Sequence, residues 1–124
     1  MYSRSKRFLS RALYALTFMT FPVLAHHGWS GNTEDIVLSG TLSAEVSLAG
    51  PHGTMQVEDS EGQLWDITLA PASRTSRAGL TENVIPLGAE VTVQGQRNSD
   101  QARLEIKTRR VSWNGQIFDV YPAR

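Results

Sequence analysis

The chain contains no cysteine. No disulfide can staple it, no thiolate can ligate a metal, and no cysteine nucleophile is available. It must hold together through its core and its sheet hydrogen bonds. Histidine is scarce: His26, His27 and His52 are the full set. No internal repeat or low-complexity stretch runs through the 124 residues. No serine sits in a nucleophile-elbow sequence, and no other catalytic constellation stands out. The sequence therefore reads as a non-enzyme. Long apolar runs are missing too. The uncharged stretch from Ala12 to Leu24 is shorter than the ~20 residues that span a bilayer.

That stretch has a defined setting. Arg4, Lys6, Arg7 and Arg11 precede it, and Val23-Leu24-Ala25 closes it with a small residue at the end. A basic segment, a short apolar segment and a small-residue site define a secretory signal. Pro22 breaks a helix there and leaves an extended segment for the peptidase. The expectation is a signal peptide over residues 1–25, cleavage after Ala25, release to the periplasm, and no stable membrane anchor afterwards. The mature domain, residues 26–124, has 99 residues and one modest core. It keeps all 12 acids but only 8 of the 12 bases, a net charge of −4. A negative domain lacks the basic footprint that phosphate backbones demand, so nucleic acid is not an expected partner.

Alternating apolar residues predict strands. Ile36, Leu38, Leu42, Val46 and Leu48 share one parity along IVLSGTLSAEVSL, with Gly40 marking a bulge or sharp coil. Gly50-Pro51-His52-Gly53 is a turn cluster. Met55 and Val57 share a face of the next strand, and Ser60-Glu61-Gly62 forms a tight loop into a strand with Trp65, Ile67 and Leu69 inward. Pro71 and Gly79 bracket a short helix. Ala89, Val91 and Val93 alternate in a further strand. Asn98-Ser99-Asp100 is a loop. In the strand from Leu104 to Val111 the inner face switches partway. Asn114-Gly115 signals a hairpin into Phe118, Val120 and Tyr121. A long coiled strand, a hairpin, a helix and further strands is the plan of an OB-fold. The predicted class is mainly β: a small five- or six-stranded OB-like barrel with one short helix, over residues 26–124. A small β-sandwich is the alternative.

The chain resembles a widespread group of small secreted bacterial proteins classed as a domain of unknown function. The matching pieces are Ala25-His26-His27, Pro51-His52, Trp65, Gly79-Leu80 and Gly88-Ala89-Glu90-Val91-Thr92-Val93-Gln94-Gly95. The departures are Gly50 where that group has Asn, Leu80 where it has Trp, and Ala89-Glu90 where it has Asp. The resemblance implies a periplasmic barrel-like module and brings no established activity.

The residues that could carry chemistry are the histidines. After cleavage, His26 offers an α-amine and an imidazole that can close a chelate on one metal ion. A further ring from His27 or His52 can complete a nitrogen-rich planar set. Such ligation suits Cu(II), and imidazole also suits Zn and Ni. The alternative is that all three are ordinary polar residues of a terminus and a turn. Asp59, Glu61 and Asp66 read as a solvated acidic turn, and Arg109-Arg110 as too short a run for nucleic acid. Trp29, Trp65 and Trp113 are either core packing or a ligand face. Two functional expectations follow. The first is a non-catalytic periplasmic binding module holding copper or another divalent transition metal through His26, His27 and His52. The second is an envelope interaction module that holds a peptide, glycan or partner protein on the barrel face around Trp65 or Trp113.

Overall fold

The structure, a computed structural model, describes residues 34–122. The signal segment, His26, His27 and Trp29 lie outside the described residues.

The first strand, β1 (Glu34–Ser47), is the longest and belongs to two ladders. Its first half, Glu34 to Thr41, pairs with β4 (Glu90–Arg97). From Thr41 to Ser47 it pairs with β2 (His52–Glu58). Gly40 sits at the handover. A Cβ there would be driven into the backbone carbonyl of Glu58. Its role is therefore close backbone approach. The β1–β2 register shifts fall later, after Leu42 and after Ala44. The expected coil is real, but the bulges lie two and more residues past the glycine.

β2 turns back into β3 (Leu64–Pro71). Asp59 builds the turn, because its Oδ1 accepts from the amides of Glu61 and Gln63, each at 2.9 Å. Such side-chain-to-backbone bonds favour turns over continued strand. Trp65, Ile67 and Leu69 are buried, as the odd parity predicts. Helix α1 (Ala72–Arg77) follows directly. Gly79, at φ +91°, ends it. The Gly79 amide donates to the Ser76 carbonyl and that of Leu80 to Thr75, the two bonds of a Schellman cap. Leu80 and Ile85 then plug the core with no exposure beyond 1%.

The last long strand, β5 (Glu105–Trp113), pairs with β4 along its length. Gln94 faces Arg110 and Gly95 faces Thr108, so Arg109 is an extra residue. That bulge produces the inner-face switch read from the sequence: Ile106 and Thr108 are buried before it, and Val111 after it. The Arg109 carbonyl accepts from the amides of both Val120 and Tyr121, tying down the end of the chain. β6 (Gln116–Asp119) closes a hairpin on Asn114 (φ 50°) and Gly115 (φ 76°). Positive φ at both central residues is the type I′ pattern whose twist suits a two-residue hairpin.

The sheet order is β3-β2-β1-β4-β5-β6. Three parallel pairs join its ends: Asp66 with Glu105, Ile67 with Ile106 and Thr68 with Lys107. Five strands thus close into a barrel, β6 is an added strand, and α1 sits between β3 and β4. This is the predicted OB-like plan, and the sandwich is ruled out by closure. Leu42, Val57, Ile67, Leu69, Val93, Ile106, Val111 and Val120 fill the interior with at most 1% exposure. Each such side chain contributes roughly 1.5–3 kcal/mol by leaving water, against the entropy of ordering it.

Candidate functional site

Closing the barrel through β3 and β5 creates a depression on its outside. The register sets Glu105 beside Asp66, and Gln56 of β2 opposite Asp66 of β3. Gln56 Nε2 donates to Asp66 Oδ1 at 2.9 Å, which orients the carboxylate along the sheet. Glu45 and Ser47 flank this pair from β1, and Thr54 and Thr68 from β2 and β3. The depression is about 460 Å³. Its lining holds three carboxylates, from Glu45, Asp66 and Glu105, and no lysine or arginine. It also lacks aromatic side chains, so it has no platform for stacking a base or sugar ring. Acceptors and hydroxyls dominate. Such a trough suits a ligand rich in N–H donors or positive charge.

The tryptophans are placed elsewhere. Trp65 is 5% exposed and belongs to the core. Its indole N–H donates to Asp59 Oδ2 at 2.9 Å, and the Arg97 guanidinium lies 4.9 Å from its ring centroid. Both faces of its chemistry are already used, so the expected ligand face around Trp65 is not a face. The ring lies inside the barrel because the odd parity of β3 points inward. Trp113 is half-buried and packs against the core.

The Asp59 carboxylate is more than an exposed acid. The indole N–H of Trp65 lowers its pKa below the ordinary 3.8, the Gln63 amide adds to this, desolvation opposes it, and the Glu61 amide lowers it further. Hydrogen bonds to the charged form favour it. The turn thus prefers an ionised Asp59. Glu61 is exposed at its tip.

His52 opens β2, opposite Pro71, and is exposed. The turn ends at Pro51, two residues earlier than the Gly50–Gly53 cluster suggests, and His52 and Gly53 join the strand. It follows the C-terminal end of β1, whereas Glu34, the residue nearest the other two histidines, stands at the opposite end. Among the described residues no group of three or more His, Cys, Asp or Glu side chains is placed to hold a metal ion. No helix among them is long and apolar enough to cross a membrane.

Of the two adjacent arginines, Arg109 is exposed at the bulge. Arg110 Nε meets Asp119 Oδ1 at 2.5 Å, with Nη2 reaching the second oxygen at 3.3 Å. Sequence reasoning missed the trough, because Glu45, Asp66 and Glu105 come from three strands. The signal was available only through the parallel β3–β5 pairing.

Comparison with known proteins agrees with this architecture. Among solved structures the barrel is similar to a chain of the Stn1-Ten1 complex of S. pombe, an OB-fold protein, with a TM-score of 0.50 and 19% identity. The match covers 66% of this chain and 59% of that one, so the present chain spans well under two thirds of that neighbour. The likeness is one of fold. No curated protein sequence matches. A family profile does, over residues 15–106, from the apolar segment through β4 to the first two residues of β5. With about three quarters of its length matched, the chain belongs to the family of unknown function DUF6152.

Proposed function

We propose that the chain is exported, is cut after Ala25, and acts in the periplasm as a non-catalytic binding module whose trough takes a basic peptide segment of a partner protein. The observation that carries this reading is the trough's one-signed lining. Glu45, Asp66 and Glu105 line it with hydroxyls and amides between them, and no base opposes them. Three carboxylates set apart on a rigid sheet repel one another, and a lysine- or arginine-bearing segment relieves that repulsion. An oligosaccharide, held by hydroxyls alone, is the weaker fit because the trough has no aromatic platform.

Amide NMR of the purified protein tests this with a lysine-rich peptide and a neutral oligosaccharide. The peptide should shift resonances of residues 44–47, 54–56, 66–68 and 105. Asp66→Asn with Glu105→Gln should weaken it about tenfold. Stronger shifts from the oligosaccharide, or peptide shifts unaffected by the double variant, would overturn the reading.

The terminal histidines support a second reading. Cleavage after Ala25 makes His26 the first residue, with an α-amine and an imidazole donor in one residue and His27 beside it. A copper ion held there needs nothing from the trough. One extra residue ahead of His26 should weaken Cu(II) binding about 10–100-fold, as should His26→Ala. His52→Ala decides the third ligand: weaker Cu(II) binding adds His52 to the set, and unchanged binding leaves the site to His26 and His27. Intact mass of the exported product should begin at His26. Copper affinity indifferent to both the extension and His26→Ala would remove the terminal site.

A further inference from the structure

The bases of this chain are not spread evenly. Arg74 and Arg77 sit in the last turn of α1. Lys107, Arg109 and Arg110 follow one another on β5, around the bulge. The Arg109 carbonyl holds the amide of Tyr121, and this draws the end of the chain across both elements. The Arg74 guanidinium lies 5.2 Å from the Tyr121 ring centroid and the Lys107 ammonium 5.9 Å. The two cations are therefore within about 11 Å of each other, with one ring common to both.

Tyr121 and its neighbours border two depressions. One, of about 280 Å³, is lined by Gln96, Lys107, Thr108, Arg109 and Tyr121. The other, of about 300 Å³, is lined by Arg74, Arg77, Asp119 and Val120. Asp119 is the only carboxylate lining either, and Arg110 already pairs with it. Arg74, Arg77, Lys107 and Arg109 form no ion pair among the described residues. Beneath the first depression lies Thr108. It is 1% exposed, it lines the first depression, and its hydroxyl has no hydrogen-bond partner among the described residues. A buried hydroxyl left unpaired costs roughly 1–3 kcal/mol.

Four unneutralised cations on a domain of net negative charge repel one another unless an anion joins them. The two depressions share no lining residue, so each can take its own anionic group. We propose that this surface is a binding site for a ligand bearing two linked phosphoryl groups: one held by Lys107 and Arg109, the other by Arg74 and Arg77, with Tyr121 between them. Arginine's planar fork matches phosphate geometry in a way that a surface lysine alone does not. The cation–ring contacts restrain Arg74 and Lys107 beforehand, so less side-chain freedom is lost on binding. This inference is separate from the trough, whose residues it does not share.

Calorimetric titration of the purified protein with inorganic pyrophosphate tests it, with orthophosphate and sulfate at matched ionic strength for comparison. Pyrophosphate should bind at one site at least tenfold more tightly than either single anion. Lys107→Gln and Arg74→Gln should each weaken it about tenfold, while Arg103→Gln, a cation in the 98–104 loop, should not. Equal affinity for all three anions would overturn the proposal, as would equal loss in all three variants. A second arm uses phosphatidylcholine vesicles containing a polyprenyl diphosphate, a lipid whose headgroup carries two linked phosphoryl groups. Vesicle binding that pyrophosphate displaces supports the site and assigns it to a lipid headgroup. Pyrophosphate binding without vesicle binding supports it and assigns it to a free diphosphate. Binding of neither overturns it. Failure here leaves the basic-peptide titration of the trough unaffected, because Arg74 and Lys107 lie outside that lining.

Discussion

Two outer regions of one small barrel carry opposite chemistry. The trough draws Glu45, Asp66 and Glu105 from β1, β3 and β5, all within the stretch matched by the family profile. The surface around Tyr121 draws Arg74 and Arg77 from α1, but its Lys107, Arg109 and Tyr121 lie past the end of that stretch. Both regions touch β5. Glu105 faces the trough and Lys107 the cationic depression, two residues apart and about 7 Å along the strand. A net charge near zero for the whole chain conceals this division. The lesson is that total charge excludes a partner only when charge is evenly spread. Here the acidic balance speaks for one region and is silent on the other.

The largest expected effect removes the difference between the regions by damaging what they share. Ile106 is fully buried and pairs with Ile67 across the β3–β5 closure. Ile106→Ala should cost about 2–5 kcal/mol in denaturant unfolding. Peptide and pyrophosphate binding should weaken together. Loss of one alone would show that the regions do not depend on a common closure.

Gly79→Ala should act on one region only. A Cβ there meets Phe118 at an ordinary 3.8 Å, so the strain comes from the backbone at φ +91°. That conformation costs a non-glycine residue about 1–2 kcal/mol. The end of α1 carries Arg77 and supports Arg74, so anion binding should weaken while peptide titration stays as before. Thr108→Val is a smaller test. If the hydroxyl is unpaired in the free protein, stability should rise by as much as about 1 kcal/mol. A fall in thermal stability would show that the hydroxyl already has a partner.

The smallest effect lies in acid. Asp59 has its pKa lowered in the folded state by the Trp65 indole and the turn amides. Its contribution to stability is complete above the ordinary 3.8 and is lost as pH falls through the lowered value. Melting curves at descending pH should show a shallower loss for Asp59→Asn than for the unaltered chain in that range. Identical acid limbs would mean that the carboxylate does not stabilise the turn through its charge.

Much of the barrel was legible because strand parity is a local signal. The even face of β1, the odd face of β3, the Asn114-Gly115 hairpin and the inner-face switch near Arg109 all depend on neighbours within a few residues. The closure did not show in the sequence, since Ile67 and Ile106 have no local mark of being partners. Trp65 misled for a related reason: a tryptophan is equally at home in a core or on a ligand face, and only the Asp59 and Arg97 contacts decide. The cationic surface was hidden by the same distance in sequence. Arg74 and Lys107 come together only because Tyr121 is pulled back by the Arg109 carbonyl. His52 was legible as a polar residue beside a turn, but its place as the first residue of β2, opposite Pro71, needed the topology.

The late arrival of β5 has a consequence for synthesis. A chain delivered N-terminus first can complete β1, β2 and β3 as a meander, yet the outer edge of β3 has no partner until Glu105, Ile106 and Lys107 appear more than thirty residues later. During that interval the open edge belongs to a strand carrying Trp65, Ile67 and Leu69, an unpaired template for a neighbouring chain. A fragment ending before residue 105 should therefore aggregate through β3, whereas loss of β6 alone would leave that edge covered. The three residue pairs that close the barrel also act as its guard against self-association.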